Sequence, residues 1–416
     1  MACNKDMMKV VPPIVDIDTP LIIGQDTTCA VCSDCKEGDG VTGPICLWKN
    51  KVIETKGLSY TDRPFIYKDL AIFTRNQDSN PHAVIVFYHK NTGKKLGEWE
   101  DYQVGAPSGL SNQSMYAANN TLVIGTGTRV YAIDLNTFKT KWVSKSHDWG
   151  DTEMEGIGSL FFHYTLNESA KTIYLEQGEV GSKKLKTIYE ETAPDNIKIS
   201  IDNYNTFVDQ QDTILMFWVS KYDRITYESA WYISAYNVSQ KKLMYHTKIN
   251  QVANKSGFPA RPMIRNGKVY PSIGDGLYCF DIKTGKEIWK VQLPDLHTME
   301  AIVGDDGNVY VSSFALPESI FHCYDPNTGK ELWNILVDPS LQFMVSQNNV
   351  VYSISSGTAN LHAIDVKQRK LLWRYNCSES KGGKGIYFVT NLAVDKTNQK
   401  LYIGSNTSAY CFQTIK

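Results

Sequence analysis

The chain carries no excess of charge of either sign: 43 Lys and Arg stand against 44 Asp and Glu, a formal net charge of −1 over 416 residues. A protein that grips nucleic acid by its phosphates needs a basic footprint, so no nucleic-acid partner is expected. Long apolar runs are missing as well. Stretches such as Ala83 to Tyr88 fall far short of the ~20 residues that a membrane-spanning helix requires. No signal-peptide pattern is legible ahead of the patterned part of the chain. A sustained 3.6-residue period is also absent, which leaves strands as the expected element. Nine cysteines are too few for a disulfide scaffold at this length.

Aromatic and apolar material is plentiful: 12% Phe, Trp and Tyr, nine Trp among them, within 42% hydrophobic residues. That composition excludes disorder for most of the chain. A length about three times that of a typical domain implies several domains or one repeat architecture.

The repeat is explicit. Leu277-Tyr-Cys-Phe-Asp-Ile-Lys-Thr-Gly-Lys-Glu-Ile-Trp289 recurs as Phe321-His-Cys-Tyr-Asp-Pro-Asn-Thr-Gly-Lys-Glu-Leu-Trp333. It returns as Leu361-His-Ala-Ile-Asp365 leading to Trp373, and as Val130-Tyr-Ala-Ile-Asp134 leading to Trp142. In all four the Asp precedes the Trp by eight residues. Weaker copies run from Ala235-Tyr-Asn237 to Tyr245, and from Val86 through Gly93 to Trp99 with two residues inserted. Each copy reads as a β-hairpin whose turn glycine (Gly93, Gly285 or Gly329) takes positive φ. A second hairpin lies upstream of most copies, with turns such as Asn266-Gly267 and Asp306-Gly307. Two hairpins make a four-stranded unit of about 40–50 residues, the size of a propeller blade.

The closing aromatics Trp48, Trp99, Trp142, Tyr189, Tyr245, Trp289, Trp333 and Trp373 count the blades. Tyr189 is the weakest, since Lys171 to Glu190 shows no clear Asp or Gly turn. Gly385 to Lys416 supplies three strands, and Pro44 to Ile53 reads as the missing fourth. The expected fold is therefore an all-β, eight-bladed β-propeller of four-stranded antiparallel blades, the last closed by the N-terminal strand and exposing no sheet edge at the join. Seven blades is the fallback if the Tyr189 unit is an insertion. The expected division is an extension over 1–40 and a propeller over 41–416.

The pattern Ala-x-Asp-x-x-Thr-Gly-Lys-x-x-Trp resembles the tryptophan-docking repeat of the pyrroloquinoline-quinone-like propeller family. The match rests on Asp281, Gly285, Lys286 and Trp289; Asp325, Gly329, Lys330 and Trp333; Ala132, Asp134 and Trp142; and Ala363, Asp365 and Trp373. The resemblance implies that each Trp packs between neighbouring blades while the Ala position stays small and buried. Trp48 and Trp99 are expected to dock in the same way. The family holds quinoprotein dehydrogenases and non-enzymatic lipoproteins, notably the propeller subunit of the outer-membrane-protein assembly machinery. Many of its dehydrogenases carry two adjacent cysteines beneath the quinone and a Glu, Asn and Asp set for Ca²⁺. This sequence has no Cys-Cys pair, and the calcium set does not map onto it. No cofactor is therefore expected, with pyrroloquinoline quinone and Ca²⁺ left to the alternative reading.

Cys279, Cys323 and Cys411 occupy the repeat position of Ala132, Ala235 and Ala363, and read as small buried side chains. Cys29, Cys32, Cys35 and Cys46 form a separate group. Disulfides are the leading reading for them, with Cys377 as a further partner and a four-thiolate zinc site as the alternative. Ala2-Cys3-Asn4 looks like the start of a mature bacterial lipoprotein, with Cys3 as the acylated residue.

All tight turns fall on one rim of the ring and the long connections on the other, where binding residues most often sit. The most distinctive long connection offers Asp148, Asp151, Glu153 and Glu155 beside Trp149. A partner contact through Trp149, Asp148 and Asp151 and a solvated acidic loop are both open. Calcium is a further reading, although the spacing is not that of an EF-hand. Arg75, Arg224, Tyr227 and Arg261 are the other candidates for partner contact. No nucleophile set is recognisable among eight scattered His.

The functional expectation is a non-enzymatic, monomeric binding or scaffolding module that engages a protein or glycan partner through its long-loop rim. It is expected in the periplasm or at the cell surface, lipid-anchored to a bacterial outer membrane. The alternative is a quinone-dependent oxidoreductase, or another enzyme, that uses the central funnel.

Overall fold

The computed structural model describes residues 44–51, 58–60, 63–77, 80–102, 114–126, 128–145, 149–150, 153–167, 171–249, 263–273, 276–293, 301–313, 319–337, 341–355, 360–375, 388 and 390–415. The extension at 1–40, with Cys3, Cys29, Cys32 and Cys35, lies outside them, as does Cys377. Among the described residues every regular element is a strand, and the strands form eight antiparallel sheets arranged as the blades of a ring. Blade 1 runs from Leu58–Tyr60 to Lys95–Trp99, and blade 2 from Met115–Ala118 to Lys139–Val143. Blade 3 runs from Trp149–Gly150 to Leu185–Thr192, and blade 4 from Ile197–Asp209 to Lys242–Lys248. Blades 5, 6 and 7 begin at Met263–Arg265, Ile302–Val303 and Leu341–Gln347, and end at Glu287–Gln292, Glu331–Val337 and Lys370–Tyr375. Blade 8 is composite. Ala393–Asp395, Lys400–Gly404 and Ser408–Gln413 are completed by Ile45–Lys51 from the other end of the chain, paired antiparallel to Ser408–Gln413.

Register explains why the repeat keeps one position small. Trp142, Trp289, Trp333, Trp373 and Trp48 face Ala132, Cys279, Cys323, Ala363 and Cys411 across the strand pair. An indole facing a side chain of one or two heavy atoms lies flat on the sheet without a void. A β-bulge recurs just before each of these Trp residues and turns its ring toward the next blade.

At three of the eight seams the docking surface on the next blade is a turn glycine, Gly93, Gly285 or Gly329. Gly93 has φ +70, and a Cβ there would lie 2.7 Å from Trp48 Cδ2. Gly329 stands to Trp289 as Gly93 does to Trp48, with its would-be Cβ at 2.8 Å. The residue must therefore be glycine twice over, for its left-handed backbone and for the ring resting on it. The indole then donates to the carbonyl three residues upstream: Trp48 Nε1 to Lys90 O at 2.9 Å, and Trp289 Nε1 to Pro326 O at 3.2 Å. Tyr245 repeats the contact with its hydroxyl on Ile282 O at 2.8 Å and its ring on Gly285. Tyr402 and Tyr270 add a second donor to the Lys90 and Pro326 carbonyls, at 3.3 and 3.2 Å.

Two places depart from the pattern. Tyr189 does hold the docking position of blade 3, opposite Leu175 and against Phe217 of blade 4, so the count is eight rather than seven. Trp99 does not hold the docking position of blade 1. It pairs with Ile85, two residues along from that position, which Gly97 occupies opposite Phe87. Nothing is inserted: Gly97 follows Gly93 at the same distance as Trp289 follows Gly285, and the tryptophan of this blade simply stands further along the strand. Blade 2 compensates at its turn, where Phe138 with φ 55 stands in the glycine's place and stacks on Phe87 at 4.4 Å. A Cβ at Gly97 would lie 2.5 Å from the Phe138 ring. Large and small have changed sides across one seam. Trp99 still bridges the two blades, donating to Thr140 Oγ1 at 2.9 Å.

The join between blades 8 and 1 carries a buried ion pair, Lys90 Nζ to Asp395 Oδ2 at 2.9 Å. Burial alone would raise the Asp395 carboxyl, but hydrogen bonds from Lys90 and Asn398 outweigh it and hold it below its ordinary value. A depressed carboxylate contributes stability above its unfolded value, and the contribution fades as pH falls below about 3.8 toward the folded value. Asp395→Asn, which leaves Lys90 buried without its counter-charge, is expected to cost about 3 kcal/mol near neutral pH. In thermal melts the gap to wild type should narrow below that pH; a constant gap would count against the ion pair. At the other seam, Gly97→Trp is expected to cost about 1–3 kcal/mol by overpacking, and Phe138→Gly about 2–3 kcal/mol. The double variant should recover most of both losses in a double-mutant cycle. Strictly additive losses would show that the two positions are not exchanged.

Candidate functional site

The long-loop rim is only partly described. Asp148, Asp151 and Arg261 lie outside the described residues. Trp149 begins the first strand of blade 3, its backbone paired with Leu166. Arg75 is half-buried within blade 1 and pairs with Glu98 at 3.2 Å, so its charge is engaged inside its own blade. The last two carboxylates of the acidic connection turn toward blade 4. Glu153 Oε2 accepts the Asn203 N–H at 3.2 Å, and Glu155 Oε1 accepts the Thr206 hydroxyl at 3.4 Å. Arg224 and Tyr227 are brought together, exposed on one turn between the second and third strands of blade 4.

That turn is tightly built. Asp223 Oδ1 accepts the N–H groups of Ile225 and Thr226 at 2.7 and 3.2 Å, and Asn196 Nδ2 donates to Asp223 Oδ2 at 3.1 Å. These bonds, the Ile225 N–H first, hold the Asp223 carboxyl below its ordinary value despite some desolvation. The backbone of Asp223 bonds Glu228 O and Tyr227 N, each at 2.9 Å.

Blades 3 and 4 meet in a cluster that sequence reasoning missed. Ser234 Oγ lies 2.8 Å from His246 Nδ1, and His246 Nε2 lies 3.8 Å from Glu191 Oε1. Glu191 also receives Lys221 Nζ at 2.5 Å and the Tyr189 hydroxyl at 2.6 Å, while Tyr232 stacks on the imidazole at 4.6 Å. Hydroxyl, imidazole and carboxylate in succession are the parts of a nucleophile relay. Ser234, however, has no exposed surface, so no substrate reaches its Oγ. Burial lowers the His246 pKa against the pull of Glu191, and the imidazole is neutral near pH 7. The cluster is a polar seam between blades. Its members lie on strands from two blades, with no sequence spacing to reveal them.

On the tight-turn rim a cleft of about 360 Å³ lies between blades 5 and 6, lined by Arg265, Lys268, Asp306, Asn308 and Asn327 among others. Its cations are already engaged. Arg265 donates to the carbonyls of Gly304 and Asp305, and Lys268 to Pro326 O and to Asn327 Oδ1 at 2.7 Å. The repeat aspartates are occupied in the same way: Asp134, Asp281, Asp325 and Asp365 each accept two backbone N–H groups of their own turn. Among the described residues no three His, Cys, Asp or Glu side chains converge as a metal site.

The family model described as "Outer membrane protein assembly factor BamB" matches residues 238–335 and 317–395, from the third hairpin turn of blade 4 to the first strand of blade 8. The chain is an eight-bladed propeller whose blades 5 to 7 match the repeat of that family. Propellers of this family are associated with outer-membrane assembly, as the matching model's description states. In fold the chain is similar to the computationally designed Ika8 protein, with 10% identity, a TM-score of 0.59 and coverage of 89% of this chain and 100% of that one. It is similar to the Dos1 propeller at 10% identity and TM-score 0.60, covering 90% and 96%. It is also similar to quinohemoprotein alcohol dehydrogenase ADHIIG from Pseudomonas putida HK5 at 9% identity and TM-score 0.54, covering 88% and 77%. At such identities the likeness is one of fold alone. No curated protein sequence matches the chain.

The repeat thiols complete the picture. Cys279 and Cys323 have no exposed surface, and burial pushes both thiols up to about 12. At pH 8 the native protein should leave both unmodified by iodoacetamide, and unfolding in guanidinium should expose them, as peptide mass spectrometry would show. Rapid native labelling at either would contradict their place beneath the docked indoles.

Proposed function

We propose that this propeller is a non-enzymatic binding or scaffolding module, extracytoplasmic and lipid-anchored, that holds a protein partner on its long-loop rim. One observation carries the reading: the chemistry-bearing side chains of the repeat are consumed by the ring. The aspartates cap their own turns, the buried thiols are protonated beneath indoles, and the Trp and Tyr donors sit on carbonyls of the next blade. A frame in which the repeated polar groups serve blade docking leaves function to the irregular connections. The match to a family described as an outer membrane assembly factor supports the same class of role and the same cell compartment.

Protein rather than glycan is the favoured partner, because the exposed aromatic on the described part of that rim, Tyr227, is accompanied by an aliphatic neighbour, Ile225, rather than by a second aromatic. The enzyme reading makes a direct prediction of its own. Purified full-length protein supplied with pyrroloquinoline quinone and Ca²⁺ should reduce an artificial dye with alcohols or sugars as donors if it is a quinoprotein. The expected outcome is no turnover above a heat-denatured control, with a protein partner recovered stoichiometrically from the native envelope after mild crosslinking. Clear dye reduction would overturn the proposal.

A further inference from the structure

The second and third strands of blade 4 make the longest hairpin of the third-strand side of any blade. Asp212–Asp223 and Ser229–Asn237 pair through nine residue pairs, from Ile214↔Asn237 to Tyr222↔Ser229. The corresponding strands of blades 6 and 7 pair through five. Those of blades 1 and 3 pair through seven, so at ~3.3 Å per residue the blade 4 hairpin is roughly 7 to 13 Å longer along its axis than these four. At its tip stand Ile225 and Tyr227, 72% and 76% exposed, the two most exposed large hydrophobic side chains among the described residues.

Two features shape this tip. First, it is rigid: the Asp223 and Asn196 bonds described above fix the backbone, and Arg224 N donates to Asn196 O at 2.9 Å, tying the tip to the neighbouring strand connection. Second, it is strained. Tyr227 is held at φ 62, a left-handed conformation that glycine or asparagine adopts most readily; Phe138 shares it but packs against Phe87 and Gly97, whereas Tyr227 is exposed. Where the backbone asks for glycine, a large aromatic is presented to solvent instead. Strain kept at an exposed apolar residue points to a use for that residue outside the fold.

Charge narrows the occupant. The turn carries one cation, Arg224, between two carboxylates, Asp223 and Glu228. A lipid surface with anionic headgroups favours a basic surplus beside its inserted side chains, and this tip has none. A preformed apolar pair on a rigid turn instead meets the requirement for an interface anchor: large, with little conformational entropy left to lose. We propose that the Ile225–Tyr227 tip is the anchor of the partner site, inserting into an apolar pocket of a protein whose pocket rim is neutral or basic. The proposal rests on the binding reading given above and adds the contact point and the chemistry of the surface it meets.

The experiment places a photo-crosslinking p-benzoylphenylalanine at position 225 of the full-length protein in its native cells. A control carries it at Val208, 56% exposed on the tight-turn rim. The expected result is one protein adduct from position 225 and none from position 208. The adducted protein is then identified by mass spectrometry and purified. Its Kd for the propeller is expected to rise at least about tenfold for Tyr227→Gly, as for an interface anchor. Tyr227→Gly should unfold at no lower a temperature than wild type, because glycine suits the left-handed backbone; loss of binding is then not loss of fold. Ile225→Ser gives an independent second variant.

Three results would overturn the assignment. Unchanged affinity of the identified protein for both variants would move the contact elsewhere on the rim while leaving the binding reading intact. An adduct only with a second copy of the chain would make the tip a self-association contact. Sedimentation with phosphatidylethanolamine–phosphatidylglycerol vesicles, abolished by Tyr227→Gly, would make it a membrane contact. Dye reduction with quinone and Ca²⁺ would instead remove the binding reading itself.

Discussion

The ring depends on one contact, the seating of a closing aromatic on the last hairpin turn of the following blade. In its fullest form, at the seams of blades 8 and 1, 4 and 5, and 5 and 6, an indole or phenol ring covers a glycine, and its N–H or O–H meets the carbonyl three residues upstream. The contact joins two otherwise separate sheets through both of the forces available to it. Burial of a large ring supplies area, of the order of 150–250 Å² per aromatic side chain. The hydrogen bond supplies direction, since the donor would be left unsatisfied if the ring were turned over. Each blade twists by the ordinary handedness of strands, and a contact repeated at constant geometry converts that twist into closure.

Closure imposes its own requirement at the one seam where the chain does not run on from blade to blade. Ile45–Lys51 must travel from the beginning of the described chain to pair with Ser408–Gln413 near its end. That strand brings Trp48, which seats on Gly93 of blade 1, and Lys90 of the same turn reaches the buried Asp395 of blade 8. Strand pairing, indole and ion pair thus act on one join. A long-range contact of this kind forms only after most of the chain is in place, because loop closure over hundreds of residues is entropically costly.

Much of this was legible in the residues, and the reasons it was differ from place to place. The Asp-to-Trp spacing of eight exposed the hairpin, since a turn capped by Asp and closed by glycine fixes the number of residues between them. The Ala/Cys alternation exposed a buried small position without saying what lay over it; the register then showed the Trp of the same blade. At Trp99 the reading erred because a tryptophan beyond the docking position looks, in the sequence alone, like a docking tryptophan displaced by an insertion, whereas the register keeps Gly97 at that position. The compensation at Phe138 could have been noticed as an aromatic in a turn-glycine position, but its meaning lies in Gly97 on another blade. The Ser234, His246 and Glu191 cluster had no sequence signal, since its members come from different strands and its spacing is set by the ring.

The sequence by itself determined the blade: alternation with a period of two, a turn capped by Asp and closed by Gly, and an aromatic at constant distance are local features, and local features repeat in the chain. It left the number of blades at eight with seven as the fallback, and the pairing of Tyr189 with Leu175 decided for eight. Only the tertiary structure decided which neighbour each aromatic meets, which large and small residues exchanged sides between blades 1 and 2, and which loop stands clear of the ring. Arg224 and Tyr227 were two names among several loop candidates. Strand length, a run of turn hydrogen bonds and a left-handed tyrosine set them, with Ile225, at an exposed tip. Exposure and strain are properties of a side chain's surroundings, and those surroundings are assembled from parts of the chain far apart in sequence.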